Sequence, residues 1–266
     1  MSDVAVIVLD INGGAMLRAC LDSIAAQTLP AAELVVWDNS ETNLGFAGGN
    51  NEAWKRTTAE FVALVNNDVV LDRDWLETVR AAMADDVAAV QTMIRASDGT
   101  IDGAGIDVSD GTIRQVRGEG TGHRERGTGD VLATTTTCAP FPVPRPLPAW
   151  GVSATAALYR RNAVGDRPFD PRFFAYYEDV ELCARLHESG WRTIVLPVVK
   201  ASHRGSASAS VLGKDAQRLR TRNRYFVARL HPGVGRIWAL LWEDAKLLLR
   251  GRASLRGLIE GLFSRL

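Results

Sequence analysis

Short runs of branched apolar residues alternate with helix-like patterns over the first hundred residues. Three runs have the composition of parallel strands covered on both faces, at residues 4–9, 34–37 and 61–65. A further strand is predicted at residues 87–94. Apolar residues at helical spacing predict one helix around Leu17–Ile24 and another over residues 73–84. This order is typical of a Rossmann-like α/β sheet, whose ligand sites lie at the carboxyl ends of the strands.

The run Asn43–Asn51 has three glycines between amide side chains. We expect it to be a loop rather than a helix or a strand, followed by a helix over residues 53–58, because Gly and Asn both tolerate positive φ. The strand at 61–65 then runs into Asn66–Asp68. A polar loop and a carboxylate at one sheet edge predict a ligand site. The alternative is a glycine-rich turn and an ordinary aspartate at a strand end.

Residues 97–148 differ in character from the rest, since they are rich in Gly, Thr, Arg and Pro and show no sustained period. Prolines alternate with other residues from Pro140 to Pro148, which favours an extended segment. We expect a short β excursion and a loop that covers an acceptor site. A disordered linker is the alternative.

Regular patterns return after this segment. Residues 155–159 and 193–197 predict strands, and a helix is expected to begin near Glu178, after the aromatic run Phe169–Tyr177. From about Gly213 the pattern is that of basic, amphipathic helices. Such helices can lie on an anionic membrane, pack on the rest of the chain, or pair two subunits into a homodimer.

Polar side chains directly follow the predicted strands. Asp38 would lie at the sheet rim, where it could accept hydrogen bonds from a base or ribose, or cap the following turn. Asp68 could supply one carboxylate to Mg²⁺ or Mn²⁺, with an amide oxygen from Asn66, or could cap a helix. His203, just past the strand at 193–197, leaves three roles open: metal ligand, phosphate contact or surface residue.

The helix that begins near Glu178 has two faces of different character. Asp179 shares its face with apolar residues three, four and seven positions later, so we expect it to point inward. Glu178 is expected to point toward water. An inward carboxylate behind an aromatic loop suits a general base, because partial desolvation raises its pKa. The alternative role for Asp179 is an N-cap of the helix.

Charge and composition argue against several classes of protein. The 266 residues include 31 basic and 31 acidic side chains, so the net charge gives no support for nucleic-acid binding. Cys20, Cys138 and Cys183 are odd in number and lack CxxC spacing, as expected of reduced thiols. No signal peptide or apolar stretch of about twenty residues is present. We therefore expect a cytoplasmic protein, either free or peripheral at the inner face of the membrane.

Six motifs, in order, resemble those of glycosyltransferase family 2, and in particular its rhamnosyltransferase-like branch. They lie at Asp10–Gly14, Trp37–Ser40, Asn43–Asn51, Asn66–Asp68, Phe169–Leu182 and His203–Ser208. Each motif is weak alone, whereas six in the right order are specific. The resemblance implies a GT-A fold: a Rossmann-like, mostly parallel sheet flanked by helices, with a small β excursion and C-terminal helices.

The resemblance also implies how the chain is divided. A GT-A domain would cover residues 1–210, with a nucleotide-sugar half at about 1–96 and an acceptor half at about 97–210. A C-terminal helical extension would follow at 211–266.

The same resemblance implies inverting transfer of a sugar from a nucleotide-diphosphate sugar to a hydroxyl of a sugar, lipid-linked or small-molecule acceptor. Asp179 matches the catalytic base, with Glu178 beside it. Asp68 and His203 match positions that hold a divalent cation, Mn²⁺ or Mg²⁺. The positions matched to the nucleotide sugar are Asp10, Asn12, Asp38, Asn43, Gly45, Gly48, Asn50, Asn66 and Asn67. Those matched to the acceptor are Trp150, Gly151, Tyr176 and Tyr177.

Three departures from the family pattern bear on specificity. Asp10 stands where the family usually has Asn or Thr, and Ile11 stands where it usually has Tyr. Asn66 occupies the first position of the DxD-type motif. Only two residues separate Ser40 from Asn43, so we expect the sheet to lack a unit beside the nucleotide pocket. Two alternative functions remain: a weak or inactive GT-A-fold binding protein, and a sugar nucleotidyltransferase, which would need a basic glycine-rich loop after the first strand.

Overall fold

The computed structural model describes residues 2–118, 146–147, 149–204 and 212–265. A mixed sheet of eight strands forms the centre of the protein. The strand order is β2-β1-β3-β9-β5-β10-β4, with β6 paired to β5. Strands β1, β2, β3, β5 and β10 run in one direction, so the predicted mostly parallel sheet is confirmed. The strands are β1 (Val4–Asp10), β2 (Glu33–Asp38), β3 (Phe61–Asn66), β4 (Val69–Leu71), β5 (Val87–Ala96), β6 (Ile101–Gly103), β9 (Ala156–Arg160) and β10 (Arg192–His203). A separate small pair consists of β7 (Ile106–Asp107) and β8 (Arg114–Gln115).

Helices cover both faces of this sheet. They are α1 (Ala15–Ala25), α2 (Gly45–Trp54), α3 (Trp75–Ala81), α4 (Arg161–Val164), α5 (Glu178–Glu188), α6 (Lys214–Leu230), α7 (Ile237–Leu249) and α8 (Leu255–Phe263). Alternate residues of β1 enter different cores: Val6 packs with α1 and α3, whereas Ile7 packs with α2 and α5. A strand buried on both faces needs apolar residues at every position, which explains the unbroken apolar run at 4–9.

Strand β2 differs from its prediction as a buried strand. It lies at the edge of the sheet, and Leu34 and Val36 are 49% and 41% exposed. The chain passes from β2 to α2 through residues 39–44 without another strand or helix. One face of this edge strand therefore stays open to solvent.

The predicted loop at Asn43–Asn51 is wrong, because residues 45–54 form helix α2. The expected helix at 53–58 is wrong for the same reason, since α2 ends at Trp54. Glycine is a poor helix former, but here its missing side chain permits close packing. A Cβ on Gly49 would lie 2.5 Å from Leu9 Cδ1, so α2 is seated directly against the end of β1. Tertiary packing has outweighed intrinsic helix propensity.

Replacing Gly45 with Ala is expected to lower the free energy of unfolding by at least about 2 kcal/mol. Gly45 has φ +72°, and an added Cβ would lie 2.4 Å from the carbonyl oxygen of Phe174. Gly99→Ala is the matched control, because Gly99 has φ +86° but open space around the added Cβ. Urea denaturation should show the larger loss for Gly45→Ala. Equal losses would mean that the contact with Phe174 costs nothing.

The region after β5 is described only in part. Strands β6, β7 and β8 provide the predicted β excursion, whereas the predicted extended segment at 140–148 lies mostly outside the described residues, as does Cys138. Cys20 and Cys183 are buried free thiols, and burial raises the pKa of each to about 12. Within the described ranges, no helix is long and apolar enough to cross a membrane.

Candidate functional site

A cavity of about 550 Å³ opens where β3, β10 and the start of α5 meet. It contains seven of the predicted site residues: Asn66, Asp68, Tyr176, Tyr177, Glu178, Asp179 and His203. It also contains residues that the sequence did not single out: Phe46, Asp102, Arg114, Arg117, Ser153, Thr155 and Arg220. Residues distant in sequence thus line one cavity at the carboxyl ends of parallel strands.

Asp179 lies in this cavity at the first turn of α5. Its Oδ1 accepts a hydrogen bond from the Val180 N–H at 2.9 Å, and its Oδ2 accepts one from the Ala154 N–H at 3.3 Å. Burial raises the pKa of Asp179, and these hydrogen bonds to the ionised form oppose that rise. The Asp179 carboxylate therefore binds a proton more tightly than the carboxylate of an exposed Asp does.

Glu178 does not point toward water, so that prediction is wrong. It is 5% exposed, lines the same cavity, and its Oε2 has no hydrogen-bond partner among the described residues. Burial and the neighbouring charge of Asp179 raise the pKa of Glu178 well above its usual value. Near it, Val180 and Ala184 of α5 belong to one buried cluster with Phe226 and Val227 of α6. Of the two carboxyls, Glu178 has the more strongly raised pKa.

The backbone before α5 is strained, and α6 holds it in place. Three residues there have positive φ, at +64°, +70° and +70°: Phe174, Tyr176 and Tyr177. Such conformations persist only where the surroundings impose them. The Asn223 side chain of α6 supplies that restraint, since its Nδ2 lies 2.7–2.8 Å from three carbonyl oxygens, those of Phe173, Ala175 and Tyr176. A buried amide thus orients the turn that presents Glu178 and Asp179.

A histidine between two carboxylates forms the other side of the cavity. His203 Nε2 lies 3.1 Å from Asp68 Oδ2, and His203 Nδ1 lies 2.7 Å from Asp102 Oδ2. Burial lowers the pKa of His203, but the hydrogen bonds and charges of Asp102 and Asp68 outweigh this effect and raise it to about 9. His203 is the last residue of β10 rather than a residue beyond the strand, because β10 continues through irregular pairing with β5.

The donor atoms of this pair fit a divalent cation. Asp68 offers a carboxylate and His203 an imidazole nitrogen, and Mn²⁺ accepts both kinds of ligand. Asp68 is 4% exposed, so it is already withdrawn from bulk water. Within the described parts of the chain, no three His, Cys, Asp or Glu side chains form a cluster that could itself hold a metal ion.

Arginines supply positive charge to the cavity, and none of them was predicted to be a site residue. Arg117 pairs with Asp102 at 3.3 Å, and Arg114 pairs with Asp110 at 2.7 Å. Arg220 of α6 lies over the ring of Tyr176, 4.3 Å from its centroid. Arg114 and Arg117 lie in the Gly-rich segment, whose lack of a regular period gave no sign that they line a site. Arg220 lies in the basic helix, where several other arginines are equally plausible from the sequence.

Four residues predicted to bind the nucleotide sugar lie at or just beyond the adjacent strand ends. Asp10 and Asp38 are direct partners in the β1–β2 ladder, and Asp10 Oδ1 accepts a hydrogen bond from Asn67 Nδ2 at 2.6 Å. Asp38 is exposed, and hydrogen bonds from Ser40 lower its pKa. Asn12, also exposed, donates its N–H to Ser40 Oγ at 3.3 Å. This is an acidic rim beside the cavity rather than part of its lining.

Other predicted residues serve the fold in the described structure. Asn43 Oδ1 accepts the Gly45 N–H at 2.9 Å, and Asn50 donates to the Phe46 carbonyl one turn earlier. A Cβ on Gly48 would lie 2.9 Å from Leu44 Cβ at the start of α2, and one on Gly45 would lie 2.4 Å from the Phe174 carbonyl oxygen. The predicted acceptor residues Trp150 and Gly151 pack behind the cavity and do not line it: Trp150 contacts the His187 ring, and Gly151 lies against Cys183.

Comparisons with known proteins agree with this geometry. The family model described as "Glycosyl transferase family 2" matches residues 39–141. An N-acetylglucosaminyl-diphospho-decaprenol L-rhamnosyltransferase of Mycobacterium tuberculosis is 34% identical over 118 residues, which is 42% of this chain and 36% of the relative. The match thus spans about a third of the relative's length.

Solved structures share the fold at low identity. A mannosyltransferase from Pyrobaculum calidifontis, in complex with GDP-Man and Mn²⁺, has a TM-score of 0.54 and 16% identity, covering 96% of this chain and 77% of that one. S. aureus TarS 1–349, in complex with UDP-GlcNAc, has a TM-score of 0.54 and 16% identity, covering 85% and 64%. Together with the motifs, these similarities give the chain a GT-A fold and a resemblance to glycosyltransferase family 2 and its rhamnosyltransferases.

Proposed function

We propose that the protein is an inverting glycosyltransferase that moves a sugar from a nucleotide-diphosphate sugar to an acceptor hydroxyl. One observation carries the proposal: Asp179, whose pKa is raised by burial, lines the same cavity as Asp68 and His203. A base and a cation site facing one space are what such a transfer needs.

In the proposed reaction, Asp179 accepts the proton of the acceptor hydroxyl. The hydroxyl oxygen forms a bond to the anomeric carbon of the donor while the bond from that carbon to the diphosphate oxygen breaks. Attack from the face opposite the leaving group inverts the anomeric configuration. Burial and the charge of Asp179 raise the pKa of Glu178, which disfavours a second negative charge beside the reacting centre.

Asp68 and His203 would hold the divalent cation, Mn²⁺ or Mg²⁺, together with donor phosphate oxygens. When bound, the cation offsets the negative charge that develops on the leaving diphosphate. Because a histidine ligand must be neutral, the proton that His203 holds at Nε2 would leave as the ion binds. The Mn²⁺ in the mannosyltransferase complex of the same fold supports this assignment.

For the acceptor we propose a phosphate-bearing, lipid-linked sugar. The three arginines at the cavity, Arg114, Arg117 and Arg220, are suited to phosphate oxygens. The name of the mycobacterial relative, with its diphospho-decaprenol acceptor, supports the same class. A cytoplasmic location and a domain boundary near residue 210 stay predictions, although α6 contributes Arg220 and Asn223 to the site.

Donor turnover tests the proposed function. The full chain is incubated with UDP-, GDP- and dTDP-linked sugars, rhamnose among them, with Mn²⁺ or with chelator, and release of the nucleoside diphosphate is measured. We expect Mn²⁺-dependent release from at least one donor. Nucleotide binding without release would favour the inactive binding protein, and release of pyrophosphate from a sugar phosphate and a nucleoside triphosphate would favour the nucleotidyltransferase.

Asp102→Asn is expected to weaken Mn²⁺-dependent nucleotide binding by roughly ten- to a hundredfold. Asp102 accepts the Nδ1 proton of His203 and so aims Nε2 at Asp68, and an amide holds that proton less strongly. The control is Asp98→Asn. Asp98 is exposed, and its side chain accepts hydrogen bonds from Thr100 in the same turn. Calorimetry of nucleoside diphosphate with and without Mn²⁺ gives the readout. Equal affinity of the Asp102 variant and the control would contradict this role.

A further inference from the structure

Helices α7 and α8 carry a large apolar surface, here called the C-terminal face. Its exposed members are Ile237, Trp238, Leu241, Trp242, Leu249, Leu255, Ile259 and Phe263. Trp238 and Trp242 are 66% and 67% exposed, and Leu249 is 90% exposed. Elsewhere in the described residues, large apolar side chains are comparably exposed only at Leu34, Val36 and Leu44. A patch of this kind on one side of a protein marks an interaction surface.

The charges on this face are of one sign. Its exposed ionisable residues are all cationic: Arg236, Lys246, Arg250, Arg252, Arg256 and Arg265. The three acidic residues of the segment are less exposed and are held in ion pairs. Asp244 bonds to Arg224 and Tyr225, and Glu260 pairs with Arg218 and with Arg256 of the face, each at 2.8 Å. The third, Glu243, lies 3.5 Å from Arg224. A chain with no net charge overall thus presents a cationic, apolar face here.

Two indole rings and then two cations follow one another along one side of α7. Trp238, Trp242, Lys246 and Arg250 follow at intervals of four residues and line a shallow cavity of about 400 Å³. Lys246 Nζ lies 4.8 Å from the centroid of the Trp242 ring. Indole rings partition to the boundary between lipid headgroups and acyl chains, where neighbouring cations meet lipid phosphates.

This cavity adjoins the candidate active site. Arg114 lines both cavities. Residues 110–115, which lead from the turn after β7 into β8, lie between them. Arg114 also reaches Glu243 of α7 at 3.6 Å, which ties that loop to the helix. A surface seated on α7 would therefore lie at the mouth of the cavity that contains Asp179.

We propose that the C-terminal face docks on the surface of an anionic lipid bilayer. An anionic membrane supplies the negative charge that the cationic rim lacks. A second copy fits less well, because a twofold contact would bring two rims of the same sign together. The proposal does not rest on the proposed function, since docking needs neither donor nor acceptor.

Vesicle flotation of the full chain tests it, with phosphatidylcholine vesicles that contain or lack phosphatidylglycerol, at low and high salt. The chain should float with the anionic vesicles only, and salt should weaken the association. Replacing Lys246 and Arg250 by Gln should weaken it about thirtyfold, since each cation near such a surface contributes roughly fivefold. Trp238→Ser with Trp242→Ser should abolish it. Circular dichroism checks that each variant is folded.

Leu34→Ser with Val36→Ser is the matched control, because it removes two exposed apolar side chains from the β2 edge. This control should float like the unaltered chain. Equal flotation with neutral and anionic vesicles, or equal loss in the control and the tryptophan variant, would overturn the proposal. So would a dimer in light scattering that the tryptophan variant converts to monomer, since the face would then bind a second copy.

Discussion

Replacing Asp179 with Asn is expected to lower kcat by on the order of a hundred- to ten-thousandfold, with little change in donor binding. The amide keeps the size of the side chain, and its one oxygen can accept one of the two N–H groups, that of Val180 or that of Ala154. It cannot take a proton from an acceptor hydroxyl. Steady-state transfer kinetics and donor titrations measure the two quantities separately.

Glu178→Gln is the matched control, since it alters the adjacent carboxyl in the same cavity. Because burial and the charge of Asp179 raise the pKa of Glu178 and disfavour its ionised form, the amide should have a small effect on kcat. If instead Glu178→Gln abolished transfer and Asp179→Asn did not, the two roles would have to be exchanged.

The pH profile gives an independent signature of Asp179. Its pKa is raised by burial, and the base works only when ionised. Activity should therefore be full above that raised pKa and should fall as the pH drops through it, at a higher pH than an exposed Asp would require. Asp179→Asn should remove this acidic limb from whatever activity remains.

Asp68→Asn is expected to abolish the Mn²⁺ dependence of donor binding and to lower kcat/KM by at least about a hundredfold. The substitution removes the carboxylate beside His203 Nε2 and keeps the volume of a side chain that is 4% exposed. Asp72→Asn is the control, because Asp72 is an exposed carboxylate four residues further along. Nucleotide titration with Mn²⁺ and with chelator measures the effect. Undiminished Mn²⁺ dependence would move the cation site away from Asp68.

The strands and their ligand-bearing ends were predictable because local pattern determines them. Val4–Asp10 and Phe61–Asn66 are apolar at nearly every position, and such runs suit only a strand covered on both faces. The acids that follow them lie at one sheet edge as a geometric consequence of parallel strands. The motif resemblance then supplied roles that pattern alone left open for Asp179 and His203.

The structural features that could not be predicted depend on contacts between residues that are far apart in the sequence. The glycine run forms α2 because Leu9 and Phe174 leave room only for backbone, and neither is near it in sequence. Glu178 is buried, on a helix whose apolar residues share a cluster with Phe226 and Val227 of α6, far along the chain. Asp102 gained its role through His203, 101 residues away. Helical spacing describes one element at a time, so it missed each of these.

The central claim is that Asp68, His203 and Asp179 surround one donor site. A crystal structure of the full chain with a nucleoside diphosphate and Mn²⁺ tests it most directly. The account predicts Mn²⁺ bound to Asp68 and His203, the diphosphate on that ion, and the Asp179 carboxylate facing the space beyond the terminal phosphate. A diphosphate bound outside this cavity, or Mn²⁺ held without Asp68, would contradict it.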